Sequence, residues 1–406
     1  MERYNSYSDS GVQWLGEIPS HWRLVKSKYL WKESFATSEN GNEELLSVSQ
    51  YDGITPAKGD SRSESLKGYK IVSENDLVIN IMLAWMGGLG VSNYNGIVSP
   101  AYCIYQLNDD SNPKFLHYLY KTPLYLAEFA RHSTGVIPSR WRMYTDDFGQ
   151  VLSLIPPRGE QDAIVSYLDE RTAKIDAAIA QQQKMIDLLN ERKQIIINRA
   201  VTKGLNPNAR MKDSGVEWIG EVPEHWEVMR MRYLCSITTG NKDTINRVDD
   251  GLYPFYVRSP KVERINTYSY DGEAVLMAGD GVGAGKVFHY VNGKFDYHQR
   301  VYNFYNIKKI KAKLLYYYMK SRFRYVIEQL SAKSTVDSVR LNMIQDFLVV
   351  IPPMQEQLDL IDYLDSQMKK LDDSISMFEN QISLLQERKQ IIINEVVTGK
   401  VKVVWH

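Results

Sequence analysis

The sequence has few of the features that mark secreted, metal-binding or membrane proteins. Its 406 residues include only two cysteines, Cys103 and Cys235, which lie far apart and outside any CxxC pair. Neither a disulfide framework nor a zinc cluster is therefore supported. No apolar run approaches the roughly 18 residues of a membrane span, and the polar segment 1–10 lacks the apolar core of a signal peptide. These absences predict a protein of the reducing cytoplasm.

An excess of positive charge, which is common in nucleic-acid-binding proteins, is also missing. Lysine plus arginine and aspartate plus glutamate each number 49, so the net charge does not indicate a nucleic-acid partner. It does not exclude one, because phosphate contacts depend on local basic clusters and can be shared with partner subunits.

A nucleotide-binding loop is not supported by the one glycine-rich segment, residues 279–286. It departs from the Walker pattern at Asp280, in the place of the first glycine, and at Val287, in the place of Ser or Thr. It fits GxGxxA, but a strand-like segment follows where a dinucleotide site needs a helix. Two interpretations remain, a tight connection between strands or a loop that lets the backbone approach DNA.

A metal or nuclease centre is not indicated either. The seven histidines show no HExxH or similar spacing, and His21 and His225 recur in a repeated motif that favours a packing or capping role. The ExK triplet at 191–193 resembles that of many nucleases but has no evident carboxylate partner. The sequence therefore predicts a chain that is not an enzyme, with no catalytic residues, no bound metal and no cofactor of its own.

The strongest internal signal is a duplication. DSGVQWLGEIPSHWRLVKSKYL at 9–30 returns as DSGVEWIGEVPEHWEVMRMRYL at 213–234, and IPPRGEQDAIVSYLDERTAKID from Ile155 returns as IPPMQEQLDLIDYLDSQMKKLD from Ile351. Both copies then reach the octapeptide ERKQIIIN. The stretches between the motifs, roughly 31–154 and 235–350, show no comparable register, so the framework repeats while its contents differ.

The segment after each IPP motif predicts a long helix. Apolar residues recur every three or four positions without internal glycine or proline, and about 40 residues give a rod of roughly 60 Å. Such rods bury their seams against each other or a partner. The variable stretches predict mixed α/β structure, with hairpin-like turns at Gly87-Gly88 and Asn292-Gly293.

The predicted fold class is α/β (α+β), with two mixed α/β domains separated by two long antiparallel, coiled-coil-like helices in a pseudo-twofold duplication. The predicted segments are a first domain (1–157), a central helix (158–204), a second domain (205–353) and a distal helix with a tail (354–406).

This order of motifs resembles the DNA-specificity subunit of type I restriction-modification enzymes over nearly the whole chain. The resemblance implies that each variable stretch is a target-recognition domain, which reads one half of a bipartite target in double-stranded DNA. Because the two stretches differ, the target is expected to be asymmetric. It also implies that the helices space the two halves and dock DNA methyltransferase subunits, expected to be two, with a restriction/translocase subunit completing the complex. S-adenosylmethionine, ATP and Mg are then expected on those partners, in the cytoplasm. Half-sites about one helical turn, roughly 10 bp, apart are expected.

Base-contacting residues do not carry over from the resemblance, because the variable stretches differ among relatives. Arg and Lys suit guanine, and Asn and Gln suit adenine. On that basis the candidate DNA-binding residues are Gln50, Tyr51, Lys58, Ser139, Arg140 and Arg142 in the first stretch and Lys286, Gln299, Arg300, Lys333 and Ser334 in the second. The candidate partner-binding residues are Arg192, Lys193, Arg388 and Lys389.

Two alternatives stay open at this point. A self-contained modification or restriction enzyme should carry a methyltransferase or nuclease signature, and none is found. A stand-alone bivalent DNA-binding regulator would bind its operator without partners, whereas a specificity subunit should need the methyltransferase for full affinity.

Overall fold

The computed structural model describes residues 2–50, 53–58, 65–137, 140–331 and 338–403, without the side chains of 329–331. The chain divides into two compact units. The first combines residues 1–182 with 380–406, and the second consists of residues 183–379. Within the described ranges, no helix has both the length and the apolar character of a membrane span.

The first unit is built from small antiparallel sheets. Its strands are β1 (Tyr7–Asp9), β2 (Glu17–Pro19), β3 (Arg23–Lys26), β4 (Trp31–Ser34), β5 (Leu46–Ser49), β6 (Gly53–Pro56), β7 (Lys70–Val72), β8 (Leu77–Asn80), β9 (Leu89–Val91), β10 (Gly96–Val98), β11 (Tyr102–Leu107) and β12 (Leu152–Ile155). Its short helices are α1 (Ser27–Leu30), α2 (Pro113–Tyr120), α3 (Pro123–Arg131) and α4 (Thr145–Gln150), with a 3-10 turn at Ala84–Met86. The long helix α5 (Arg158–Lys203) begins in this unit. The largest sheet has the order β4-β11-β8-β9.

The second unit is organised around one larger sheet. Its strands are β13 (Met211–Asp213), β14 (Glu221–Pro223), β15 (Glu227–Arg230), β16 (Ser236–Thr239), β17 (Tyr253–Tyr256), β18 (Val262–Ile265), β19 (Tyr270–Ala278), β20 (Phe288–Tyr297), β21 (Val301–Tyr305) and β22 (Leu348–Ile351). Its helices are α6 (Ala312–Arg322), α7 (Arg324–Ser331), α8 (Leu341–Asp346) and the long α9 (Met354–Val397), with 3-10 turns at Met231–Tyr233 and Thr244–Asn246. The sheet order is β16-β21-β19-β20-β17-β18. Among the strands of this sheet in the described part of the chain, β17 and β20 pair in parallel and the other neighbours are antiparallel.

The predicted fold class is confirmed, since two sheet-rich units and two long helices repeat one plan. The β1-β2 hairpin corresponds to β13-β14, and the pair β3-β12 corresponds to β15-β22. The pairs β3-β12 and β15-β22 each join the start of a variable stretch to its end. Each stretch is therefore closed at its base by framework strands, which explains how its contents can differ while the frame persists. The four predicted segment limits stay a prediction.

A glutamate in the first turn of each long helix ties the first motif to the second. In the first unit Glu160 accepts hydrogen bonds from Tyr4 and from Trp22 Nε1 at 3.3 Å, and its other oxygen lies 2.9 Å from His21 Nε2. In the second unit Glu356 accepts a hydrogen bond from Trp226 Nε1 at 2.9 Å, and its other oxygen lies 2.6 Å from His225 Nε2. The histidine and tryptophan of the repeated EIPxHW and EVPxHW motifs therefore hold the start of the helix in place.

The next residue of each helix is a buried glutamine with a second positioning role. Gln161 accepts from the Asn112 amide at 2.7 Å and donates to the Pro156 carbonyl at 2.9 Å. Gln357 accepts from the Lys311 amide at 2.8 Å and donates to the Pro352 carbonyl at 2.8 Å. Because the contacts to Asn112 and Lys311 involve main-chain atoms just before α2 and α6, they tolerate changes in the side chains of the variable stretch.

A third repeated contact corrects the expectation that residues 31–154 and 235–350 share no register. Asp169 accepts hydrogen bonds from Lys114 Nζ at 2.6 Å and from Tyr118 OH at 2.7 Å. Asp365 accepts the corresponding bonds from Lys313 at 2.5 Å and from Tyr317 at 2.8 Å. The matching segments KFLHYLY and KLLYYYM lie on α2 and α6. The repeat therefore continues inside each stretch, and the unlike regions are the sheets.

Each unit also contains one stretch of paired long helices. In the first unit Asp176 of α5 accepts from Lys389 of α9 at 2.7 Å, and Leu168 and Val396 share the apolar core. In the second unit Lys193 of α5 pairs with Asp372 of α9, and Ile197 and Leu364 share the core. Lys193 and Lys389 occupy equivalent positions of the two ERKQIIIN segments, so the same ion pair is made twice.

His117 of α2 gives the first unit a pH-dependent stability. Burial, reinforced by the nearby lysine ammonium groups, lowers the pKa of His117 to about 4, and its Nδ1 accepts the Val91 amide at 3.0 Å. A protonated ring could not accept this bond. The unfolded chain, with an ordinary histidine pKa near 6.5, therefore binds more protons between pH 6.5 and 4, so the contribution is complete above 6.5 and declines as the pH falls.

We expect the free energy of unfolding to lose about 2 kcal/mol from this group between pH 6.5 and 5, at about 1.4 kcal/mol per pH unit. Urea denaturation of the full chain at several pH values measures it. His117→Gln retains an acceptor and does not titrate, so its pH profile should be flatter by that amount. Identical profiles for both proteins would show that His117 is not the titrating group.

Candidate nucleic-acid interface

The first predicted DNA-binding group lies beyond β5 and β6. Gln50 follows β5, and its carbonyl accepts from Lys121 Nζ at 3.0 Å; the same ammonium group donates to the Gly87 carbonyl at 2.8 Å. Lys58 is exposed just after β6. Lys121 thus joins the main chain of two loops, whereas the predicted neighbour Tyr51 lies outside the described residues.

The second group in this unit contains two guanidinium groups and two tryptophans. The Arg142 amide and carbonyl both pair with Thr134 at 2.9 Å, while Arg140 is exposed. The ring of Trp141 meets that of Trp85 edge to face, with centroids 5.4 Å apart. Arg140 and Arg142 therefore lie on one short segment, which the contact between Trp141 and Trp85 holds against the unit. Ser139 lies outside the described residues.

The glycine-rich segment of the second unit connects β19 to β20. Gly285 has a φ of +61°, and a Cβ there would lie 2.7 Å from Ile327; a Cβ on Gly283 would lie 2.3 Å from the Arg258 carbonyl. Glycine is required because the loop packs tightly against its neighbours. Of the two interpretations, the tight connection describes its geometry, and Lys286 is exposed at its end.

Gln299 and Arg300 form an exposed turn between β20 and β21. Gln299 Nε2 donates to Asp243 Oδ2 at 2.7 Å. Arg300 Nε lies 3.6 Å from Asp280 Oδ2, and Arg258 Nη1 donates to Asp280 Oδ1 at 3.2 Å. Two predicted readers are therefore each held by a carboxylate. The other two candidates of this unit, Lys333 and Ser334, lie outside the described residues.

Sequence reasoning missed Asp243 and Arg258 and noted Asp280 only as a departure from a nucleotide-binding pattern. No local signal could have found them, because Asp243 lies 56 positions before Gln299 and the sheet brings them together. A hydrogen bond from Thr244 lowers the pKa of Asp243, which favours the ionised form of that carboxylate.

The predicted partner-binding residues divide into two kinds. Lys193 and Lys389 form the ion pairs within the chain described above. Arg192 and Arg388 are exposed, and an exposed isoleucine follows each of them, Ile195 and Ile391. Of the four predicted partner-binding residues, the two arginines are therefore the ones that face solvent.

Comparison with known proteins agrees with this architecture. The family model described as "Type I restriction modification DNA specificity domain" matches residues 223–384. The chain is 27% identical over 186 residues to the type I restriction enzyme EcoDI specificity subunit of Escherichia coli, an alignment that covers 46% of this chain and 41% of that relative. It is 23% identical over 361 residues to the MjaVIII specificity subunit of Methanocaldococcus jannaschii, covering 82% and 80%.

A solved structure shares the fold. One chain from a study of complex assembly and conformational transition of the type I R-M system superposes with a TM-score of 0.69, at 14% identity, over 95% of this chain and 99% of that one. The duplicated motifs, the repeated helix contacts, the family model and the named relatives lead to one assignment. Over most of its length the chain is similar to the DNA-specificity subunits of type I restriction-modification systems.

Proposed function

We propose that each unit reads one half of an asymmetric, two-part DNA sequence on behalf of enzymatic partner subunits. The observation that carries this proposal is a contrast between the two units. Their framework strands and helix contacts are equivalent, but the variable stretches that they enclose form different sheets. Glu160 and Glu356 both contact the histidine and tryptophan of the repeated motif, whereas the largest sheet of the first unit has four strands and that of the second has six. Different surfaces on equivalent frames suit different base sequences, because base edges are read by side chains placed in the grooves.

The partners that this function needs are methyltransferase subunits, two in number, and a restriction/translocase subunit. In this proposal the chain itself is non-catalytic and binds no cofactor, and S-adenosylmethionine, ATP and Mg belong to the partners. Methyl transfer and ATP-driven cleavage require catalytic sites. The candidate residues of this chain are proposed to bind DNA or partner subunits and do not form such sites.

The ERKQIIIN helices are the proposed docking surface. On α5 the exposed residues Leu188 and Ile195 flank Arg192, and on α9 Leu384 and Ile391 flank Arg388. Positions spaced by three and four share one helix face. Exposed apolar residues repeated on both helices are typical of a surface that a partner covers, and two equivalent faces are suited to two copies of one partner.

We expect Arg192→Glu or Arg388→Glu to weaken assembly with the methyltransferase at least tenfold, because reversing a charge at an interface opposes an arrangement of complementary charges. Co-purification and analytical ultracentrifugation measure the loss. Arg192→Lys, which keeps the charge, is the matched control and should assemble. An assembled variant with an altered methylation sequence would contradict the separation of docking from reading.

The experiment that tests the function is sequencing of adenine methylation in the host genome with and without this gene. We expect one asymmetric bipartite sequence with an unread gap to lose methylation when the gene is removed. An unchanged methylome or a palindromic sequence would refute the proposal. Full-affinity binding of the purified chain to a single operator, unaffected by methyltransferase, would instead identify a stand-alone regulator.

A further inference from the structure

The turn His298–Arg300 is anchored from inside the second unit. His298 is buried, its amide donates to the Tyr256 carbonyl at 2.9 Å, and its Nδ1 accepts the Arg300 amide at 2.9 Å. The Gln299 amide donates to the Lys242 carbonyl at 2.8 Å. The main chain of this turn is therefore held on both sides, while the side chains of Gln299 and Arg300 point outward and are exposed.

Asp243 is held in position before it meets the turn. Thr244 Oγ1 donates to Asp243 Oδ1 at 3.0 Å, and the Asp243 amide donates to Asn246 Oδ1 at 2.8 Å. The other carboxylate oxygen then receives Gln299 Nε2 at 2.7 Å. One N–H of the Gln299 amide is used, so its second N–H and its Oε1 remain available for a donor-acceptor pair with a base.

Asp280 plays the corresponding part for the arginines. It sits in the glycine loop, where a Cβ on Gly279 would lie 2.8 Å from the Tyr302 ring, so the loop is pressed against β21. Its two oxygens face Arg258 at 3.2 Å and Arg300 at 3.6 Å. Among the described residues, the Nη atoms of Arg300 have no hydrogen-bond partner, which leaves its fork for a ligand.

Charge distinguishes a base-reading site from a phosphate site here. At the turn itself the guanidinium groups of Arg258 and Arg300 are balanced by the carboxylates of Asp243 and Asp280, and a third guanidinium, that of Arg340, lines the neighbouring cleft. Desolvation and Arg258 lower the pKa of the buried His298. A phosphate would meet the carboxylates as well as the arginines, so it gains little from this cluster. Neutral base edges carry no such penalty. Beside the turn, a cleft of about 420 Å³ is lined by Asp280, Gln299, Arg300 and Tyr302.

We propose that Gln299 and Arg300 read adjacent bases, adenine and guanine, in the half-site of the second unit, with Asp243 and Asp280 as their positioning residues and Arg258 as a second guanidinium on the same carboxylate. The inference rests on the proposed function and names the bases and the residues that orient the readers. A glutamine amide and an arginine fork match the major-groove edges of those two bases. Fixing each side chain in advance reduces the entropy lost on binding.

The test uses the full chain with its methyltransferase, and the wild-type methylation sequence is determined first. Asp280→Asn should then lose about tenfold of its discrimination at one guanine of one half-site, and Arg300→Gln about 5- to 150-fold. Asp243→Asn should relax an adjacent adenine, and the other half-site should stay unchanged in every variant. Asp249→Asn is the matched control, since Asp249 is 93% exposed and pairs only with Arg247 among the described residues.

A second measurement separates base from phosphate contact. Oligonucleotides carrying 7-deazaguanine lack the N7 acceptor, so the wild-type complex should bind them several-fold more weakly, whereas Arg300→Gln should be insensitive to the replacement. If Arg300→Gln instead binds all DNA sequences equally more weakly than the wild type, with a reduced salt dependence, Arg300 contacts phosphate and the inference is overturned. Unchanged discrimination in Asp280→Asn and Arg300→Gln would also overturn it and leave the proposed function intact. If the wild type yields no bipartite sequence, the proposed function fails and this inference fails with it.

Discussion

Replacing the variable stretch of the second unit with that of a relative should rewrite one half of the methylated sequence completely. The other half and the gap should stay unchanged. The structure indicates where to cut. The segment between β15 and β22, residues 231–347, is closed by framework strands, and Lys313 and Tyr317 must be kept because Asp365 binds both side chains. Gln357 needs no such care, since it contacts main-chain atoms.

Methylome sequencing of hosts carrying the chimera decides this prediction. A matched chimera without the Lys313 and Tyr317 pair should be less stable, because Asp365 then loses both of its hydrogen-bond donors. Lengthening α5 and α9 together by one or two turns should change only the gap. A segment exchange that rewrites both half-sites would refute the modular interpretation.

Arg322→Ala should destabilise the second unit by about 3 to 5 kcal/mol. Arg322 is only 4% exposed, and desolvation lowers its pKa. Its Nη1 donates to Asn198 at 2.6 Å and its Nη2 to the Trp218 carbonyl, and its guanidinium lies 4.8 Å from the Tyr325 ring centre. The truncation leaves a cavity and two unpaired acceptors between α5, α6 and the repeated motif.

Two further variants separate packing from charge. Arg322→Met fills most of the volume without burying a charge, so we expect a loss of about 1 to 2 kcal/mol from the unpaired acceptors. Arg324→Ala, at the exposed neighbouring position, should change stability by less than about 0.5 kcal/mol. Hydrogen exchange in residues 312–328 and urea denaturation measure both effects. Equal stability of Arg322→Ala and Arg324→Ala would show that the buried guanidinium is not a structural link.

Much of the architecture could be predicted because the evidence was local or repeated. The spacing of apolar residues indicated two long helices, and α5 and α9 extend over 46 and 44 residues. The motif order indicated a duplication, which the matching strand pairs confirm. The prediction of a hairpin-like turn at Asn292-Gly293 was wrong, because both residues lie within β20, opposite Glu273 and Gly272 of β19. Pairing along a ten-residue strand outweighed the turn preference of two residues.

The sequence by itself determined that two copies of one frame enclose unlike contents, because periodicity and repetition are written along the chain. Only the tertiary structure decided which side chains of a motif act together. It paired Lys193 with Asp372, and it placed Asp243 and Asp280 against Gln299 and Arg300. Such contacts join residues that are distant in sequence, and the hydrogen-bonded register of a sheet or the packing of two helices selects them. No local pattern records that selection.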